Sequence, residues 1–383
     1  MKKQLLCTSA IALGFAAAPA AAQDWNLDWG GFFNSHVAIS DISGSGIGGA
    51  DPEGDGLDLH TTGEIIFTPS VTLDNGLTFG INVQIEAQNQ GSSLGIDSLT
   101  RGRSSYIDES YATISSDTFG QLDIGGENSA GYKLMTGAPE VTSMFVNSPS
   151  TSAFIPFTGT GTASGFRQAA ISSFTEVAGN NDVQRITYYT PDFNGLTIGV
   201  SYAPEANSNA TSSFSVDKNF VLSDVFDIGV NYSGSFGTTD VTLAARWGTG
   251  DAAGFSITTI DAGPDGIDGN GDDNVVVAAN PNSDPETWGI GASFTFSSIT
   301  VGGSYAENDN GVASGAGDQE GWSLGVVYAA AGPWAFEALS CQGEITAFSG
   351  AGGDLDREVY KIGASRTLGP GVDWDIYLLY EER

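Results

Sequence analysis

Alternation with a period of two constrains this chain most. Leu77, Phe79, Ile81, Val83, Ile85 and Ala87 alternate with Thr78, Gly80, Asn82, Gln84, Glu86 and Gln88. Phe226, Ile228, Val230 and Tyr232 form a second apolar face, and Trp288, Ile290, Ala292, Phe294 and Phe296 a third. Trp322, Leu324, Val326 and Tyr328 repeat the pattern, and Trp374, Ile376, Leu378 and Tyr380 repeat it last. Successive strand side chains point to opposite faces, so each run has one apolar and one polar face. Each is about eight to twelve residues long, which suits a strand tilted across a bilayer. The apolar faces often begin or end in Trp or Tyr, as interfacial girdles require. The opposite faces carry Gly, Ser, Thr and Asn. A soluble sandwich would place its aromatics in mid-core. A closed barrel with lipid outside and water inside accommodates both faces and leaves no edge unpaired.

The connections sharpen this reading. Short turns fall at 73–76, 116–118, 191–195, 237–240, 330–333 and 368–371. Asn-Gly, Gly and Pro there supply the backbone angles that tight hairpins need. Long connections fall between them, at 41–56, 91–103, 126–182, 204–219, 250–284, 307–319 and 344–354. Short turns on one side and long loops on the other mark a membrane barrel. The expected strands are 28–40, 57–72, 77–90, 104–115, 119–126, 183–190, 195–203, 222–235, 240–249, 286–297, 299–306, 320–329, 333–343, 355–367 and 371–381. Fifteen strands are readable, whereas bacterial single-chain barrels have an even number. The reading therefore expects one further closing strand, missing from the sequence as written.

The connection 126–182 is the longest. A loop of that length in a compact domain is usually functional. It carries Met135, Met144, Phe145, Phe154, Ile155, Phe157, Phe166 and Phe174, which a free surface loop has little use for. It is expected to fold inward and pack inside the barrel.

Residues 1–22 read as an export signal: Lys2 and Lys3, an apolar run from Leu5 to Ala18, then Ala20-Ala21-Ala22. The barrel is expected over 23–383, without a helical anchor. Removing the signal leaves eleven basic side chains against 46 acidic ones, a net charge of −35. Such a surface excludes nucleic acid and favours cations. Cys341 is the single cysteine left, which excludes an intramolecular disulfide. His36 and His60 are the only histidines. No H-E-x-x-H helix or P-loop pattern occurs, so an enzyme is not expected.

Two stretches carry a resemblance to a known family: IDESYATISSDTFGQLDIGGENSAGY (107–132) and RITYYTPDFNGLTIGVSYAPE (185–205). They resemble the strand–turn–strand leading into the third loop, and the hairpin after it, of general porins of the alphaproteobacterial, Rhodobacter-like type. The resemblance implies a trimer of 16-stranded barrels in the outer membrane. It also implies a third loop that narrows each pore, and passive diffusion of small hydrophilic solutes and ions. Lipopolysaccharide would surround such a barrel. These porins usually end in an aromatic residue, whereas this chain ends in Arg383.

A diffusion pore needs a constriction and a field across it. Alternation places Arg185, Arg246 and Lys361 on the inner wall, and Arg101 and Arg103 flank a neighbouring loop. Glu127, Glu140, Glu176 and Asp182 are the acidic candidates on the long loop. An acidic loop facing a basic wall is what the resemblance implies. The net charge predicts mild cation selectivity. The segment 261–274 reads DAGPDGIDGNGDDN. Asp268, Asn270 and Asp272 have the spacing of a calcium loop, with Asp265 and Asp273 close by. The Gly and the distal acid of an EF-hand are absent. An external Ca²⁺ site and a simply solvated acidic loop are both open readings. A substrate-specific outer-membrane channel and a secreted acidic Ca²⁺-binding β protein, adhesin-like, are the alternative functions.

Overall fold

The computed structural model of the protein describes residues 25–42, 54–87, 107–146, 177, 182–206, 218–219, 221–261, 274–279, 282–311, 317–346 and 354–382. The early strands are β1 (Trp29–Ile42), β2 (Gly54–Phe67), β3 (Ser70–Thr72), β4 (Thr78–Glu86), β5 (Ile107–Ser116) and β6 (Gly120–Glu127). A short helix α1 (Ala130–Leu134) follows, then β7 (Val183–Tyr189), β8 (Leu196–Glu205), β9 (Ser223–Phe236) and β10 (Thr239–Asp251). Strands β11 (Phe255–Asp261) and β12 (Asn274–Ala279) form a separate hairpin. The wall resumes with β13 (Glu286–Phe296), β14 (Ile299–Asp309), β15 (Gln319–Ala329), β16 (Trp334–Ile345), β17 (Leu355–Gly369) and β18 (Val372–Glu382).

Apart from the β11–β12 hairpin, these strands make one 16-stranded antiparallel sheet in which neighbours in sequence are neighbours in space. Two details depart from the sequence reading. The strand expected over 57–72 is broken: Pro69 has no N–H to donate, and β3 resumes beyond it against β4. The connection 250–284, expected as plain loop, contains the β11–β12 hairpin. The sheet's two end strands approach each other through side chains: His36 Nδ1 of β1 lies 3.0 Å from Tyr377 Oη of β18. Among the described residues no backbone ladder joins β1 to β18.

The sheet has the two faces that alternation demands. Leu324, Ile376 and Leu378 are 55%, 57% and 67% exposed. Ser323 and Lys361, which alternate with such residues, are buried. The large hydrophobics therefore point outward, and the small and polar residues point in. An apolar outer surface of that extent is an aggregation hazard in water and a requirement in lipid. Aromatics collect at both ends. Trp334 and Trp374 stack edge-on at 6.2 Å, with Arg366 5.4 Å above the Trp334 ring. At the other end Trp247 Nε1 donates to Glu286 at 2.6 Å and Trp288 Nε1 to Glu307 at 3.1 Å. An apolar ring body with a satisfied polar tip suits a water–lipid boundary. Turns keep the strands in register; Gly76 and Gly371 take positive φ, at 83° and 70°.

Candidate functional site

The chain leaves β6 and turns into the barrel. Ser129 caps α1 by accepting from Tyr132 N at 3.2 Å. From there residues 130–146 cross the inner wall sideways, one strand after another. Ala130 N donates to Ser201 Oγ of β8 at 2.7 Å, and Gly131 N to Asp227 Oδ1 of β9 at 2.5 Å. Asn231 Nδ2 of β9 donates to Leu134 O at 2.8 Å. Ala138 N donates to Ser323 Oγ of β15 at 3.1 Å. Val141 N and Thr142 Oγ1 donate to the Glu337 carboxylate of β16 at 2.6 and 2.5 Å. Ser143 N donates to Asp375 Oδ2 of β18 at 2.8 Å. Over its described residues up to 146, the loop folds inward as length and apolar content lead one to expect, and Met135 and Met144 are buried in it. Phe145 is half-exposed. Phe154, Ile155, Phe157, Phe166 and Phe174 lie outside the described residues.

The wall is shaped to receive this backbone. A Cβ placed on Gly229 would come within 2.7 Å of Ala130 O, and one on Gly302 within 2.9 Å of Gly137 O. A Cβ on Gly291 would meet Thr136 O. Bare backbone at these three inward positions is what allows the segment to lie flat. At the far end, Ala138, Met144 and Val146 join Leu339, Cys341, Ile345 and Val359 in a buried apolar cluster, with Tyr377 and Leu379 against it. Cys341 belongs to this packing.

The charges sort into two kinds. Lys361 is fully buried and reaches Glu140 of the loop at 2.6 Å and Glu337 of the wall at 2.9 Å. Its ammonium also donates to Thr142 Oγ1 at 3.1 Å and to Met144 O. Arg246 of β10 pairs with Asp227 of β9, both buried. Arg357 and Glu381 make two parallel hydrogen bonds at 2.8 and 3.0 Å. These cations are cancelled at contact. Glu127 is buried and takes a salt bridge from Lys133 of α1 at 2.6 Å. Burial works against the Lys133 charge, but the carboxylates of Glu127 and Glu109 outweigh it and hold its pKa above the usual lysine range. Lys133 also lies 4.5 Å over the Tyr111 ring. Among the described residues it is the only cation lining a cavity of about 390 Å³, whose other walls are Gln84, Glu109, Tyr111, Gln121, Asp123 and Tyr189. That cavity is acidic.

The structure thus brings Glu140 and Lys361 together, as loop acid and wall base. It places Glu127 at the loop root, Asp182 and Arg185 buried where the loop rejoins β7, and Arg246 under α1. Glu176, Arg101 and Arg103 lie outside the described residues, as do Asp265, Asp268, Asn270, Asp272 and Asp273. Sequence reading missed the inward carboxylates of Glu109, Asp123, Asp227, Glu337 and Asp375. Strand parity signals four of them: Asp123 alternates with Leu122 and Ile124, Asp227 with Phe226 and Ile228, Glu337 with Phe336 and Ala338, Asp375 with Trp374 and Ile376. It also missed a trio on β2, β4 and β5. Glu64, Glu86 and Asp108 bring their carboxylate oxygens within 4.8 Å of one another and could hold a metal ion. Glu64 and Glu86 are direct cross-strand partners, and the register shift between Val83 and Ile85 admits an extra residue beside Asp108.

A family model described as Gram-negative porin matches residues 8–383. Among solved structures, the trimer form of OmpT from Vibrio cholerae is similar, with TM-score 0.53 and 13% identity over 94% of this chain and 89% of that one. An anion-selective porin from Comamonas acidovorans superposes with TM-score 0.53 and 16% identity, over 90% of this chain and 85% of that one. OmpF of Salmonella typhi, in complex with daunomycin, gives 0.52 and 15%, over 94% and 97%. At these identities the likeness concerns the fold. No curated protein matches by sequence.

Proposed function

Because the chain belongs to the Gram-negative porin family and is a non-enzymatic channel of the outer membrane, we propose that it passes small hydrophilic solutes and ions by passive diffusion, with a mild preference for cations. The observation that carries this reading is the division of charge inside the wall. Arg246, Arg357 and Lys361 are each neutralised by a carboxylate in contact. Among the described residues the cavity beside α1 keeps Glu109 and Asp123 with Lys133 as its single cation. An acidic lining between low-dielectric walls concentrates cations, most strongly at low salt. Glu127, Glu140, Asp182 and Arg185 are read as the frame of the constriction, with Glu176, Arg101 and Arg103 as further contributors.

The same proposal covers the finer family type and the assembly. The stretches 107–132 and 185–205 support an alphaproteobacterial type. The trimer form of the similar OmpT structure supports a homotrimer set in lipopolysaccharide. Residues 1–22 are read as a cleaved signal and 126–182 as the constriction loop. The external segment 261–274 is read as a weak Ca²⁺ site on its residue types and spacing alone.

Planar-bilayer recording of the purified protein tests the core of this. Stepwise open-channel conductance with a zero-current potential favouring cations across a salt gradient is expected. Absence of conductance would remove the diffusion reading, and anion preference at low salt would remove the selectivity.

A further inference from the structure

The register of β1 with β2 makes the chain's only two histidines, His36 and His60, direct cross-strand partners. Directly opposed residues of an antiparallel pair share a face, with Cβ atoms about 4.5–5.5 Å apart. That face is the inner one. Val37, Ile39, Leu57 and Leu59, which alternate with the histidines, are the exposed outer residues. Two imidazoles at that spacing can converge on one ion at about 2.0–2.1 Å from each nitrogen.

The surroundings support a ligand. Tyr377 Oη of β18 sits 3.0 Å from His36 Nδ1. With the proton on Nδ1 and donated to that oxygen, the lone pair of the ring is on Nε2, the state a metal-ligating imidazole needs. Two residues before Tyr377, on the same face, Asp375 has His36 within electrostatic reach. One of its oxygens accepts from Ser143 N at 2.8 Å. The other, Oδ1, is buried and has no hydrogen-bond partner among the described residues. A buried carboxylate oxygen left without a partner is costly. A cation beside it removes that cost.

We propose that His36 and His60 form a lumenal binding site for a divalent transition cation such as Cu²⁺, Ni²⁺ or Zn²⁺, with Asp375 as its charge partner and Tyr377 as the group that orients His36. Imidazole selects such ions over Ca²⁺ and Mg²⁺, which prefer sets of oxygens. The site is distinct from the carboxylate trio of Glu64, Glu86 and Asp108, whose all-oxygen donors suit the harder ions.

Isothermal titration of the folded protein in detergent with Ni²⁺ and with Cu²⁺ tests this. One site per chain is expected, tighter for Cu²⁺ than for Ni²⁺. His36→Gln and His60→Gln should each weaken binding by more than about tenfold, and Tyr377→Phe by about tenfold. Glu64→Gln should leave it unchanged, and excess Ca²⁺ should not compete. Lowering the pH from about 7.5 to about 5 should release the ion as the imidazoles take up protons. His60 is only half-buried, so its variant keeps the test usable should the His36 variant fold poorly. Unchanged affinity in folded His60→Gln protein, or loss of affinity in Glu64→Gln, would overturn the proposal.

Discussion

The two sides of the lumen use charge in opposite ways. On the β15–β18 side, Lys361 is sealed between Glu140, Glu337 and Thr142, next to an apolar cluster. On the β4–β7 side, Glu109, Asp123 and Lys133 border an open cavity. The first arrangement fixes the loop. Lys361 has two carboxylates in contact, so the cation itself sends almost no field into the lumen. The second leaves more carboxylate than ammonium around the cavity among the described residues, and although Glu109 and Asp123 are themselves buried, neither has a cation in hydrogen-bond contact, so a field remains there. Pairing decides which job a charge does: an ion held against its counter-ion is strong locally and weak at a distance.

The contrast breaks most severely if Lys361 is lost. Lys361→Met leaves Glu140 and Glu337 buried together without their cation. Breaking a buried pair from one side costs roughly 3–5 kcal/mol. Unfolding of the barrel in detergent should shift to lower temperature or denaturant, whereas Lys133→Met, at the wetter side, should shift it less. Equal shifts would show that the two sides are not different in kind.

A smaller effect is expected from the seat of the loop. Gly291→Val places side-chain atoms where Thr136 O now lies. Overpacking of this sort costs about 1–3 kcal/mol. The segment should be pushed off the wall into the lumen, and single-channel conductance should fall. Conductance that stays at the parent value would mean the segment does not bound the pore.

Neutralising the open side should alter permeation with little effect on stability. Glu109→Gln and Asp123→Asn keep the shape and remove charge from the cavity. Cation preference measured as zero-current potential should decline in each, with stability changed by less than about 1.5 kcal/mol. The same potential measured after Glu140→Gln should hardly move, because that charge is already cancelled by Lys361.

The least change should come from salt. Raising ionic strength from about 0.1 M to about 1 M shortens screening from about 10 Å to about 3 Å. The parent's cation preference should shrink accordingly, while the sealed pair keeps the loop in place and the conductance scales with bulk conductivity. A jump in conductance at high salt would show the Lys361 contacts to be exposed to solvent after all.

Much of the wall was legible in the sequence because alternation is a direct record of which face meets lipid. The strand read as 183–190 is β7, Val183–Tyr189, and that read as 320–329 is β15, Gln319–Ala329. Pro69 is the visible cause of the break in 57–72. The hairpin β11–β12 was hidden by the Asp- and Gly-rich residues between its strands, which look like loop. The site was legible only in part. Parity put Arg246 and Lys361 on the inner wall, but it does not say which acid each will meet. Those partners are set by the sideways path of 130–146, and that path is set by where inward glycines leave room. Gly229, Gly291 and Gly302 are ordinary strand glycines in sequence. Their meaning appears only when a segment from elsewhere lies across them.

The ties that hold residues 130–146 also impose an order of events on folding. Ala130 bonds a residue 71 positions further along the chain, Ala138 one 185 positions further, and Ser143 one 232 positions further. Contacts so distant in sequence form late, because the chain between them must first be ordered. Residues 130–138 rest on strands β8 to β15, but the far part, from Val141 on, has no place to rest until β16, β17 and β18 have arrived. Its last bonds, at Glu337 and Asp375, therefore act as a check on completion: a barrel still lacking its final strands must hold the far end of this stretch unseated, with Met144 open to water and to whatever chaperone recognises exposed apolar chain.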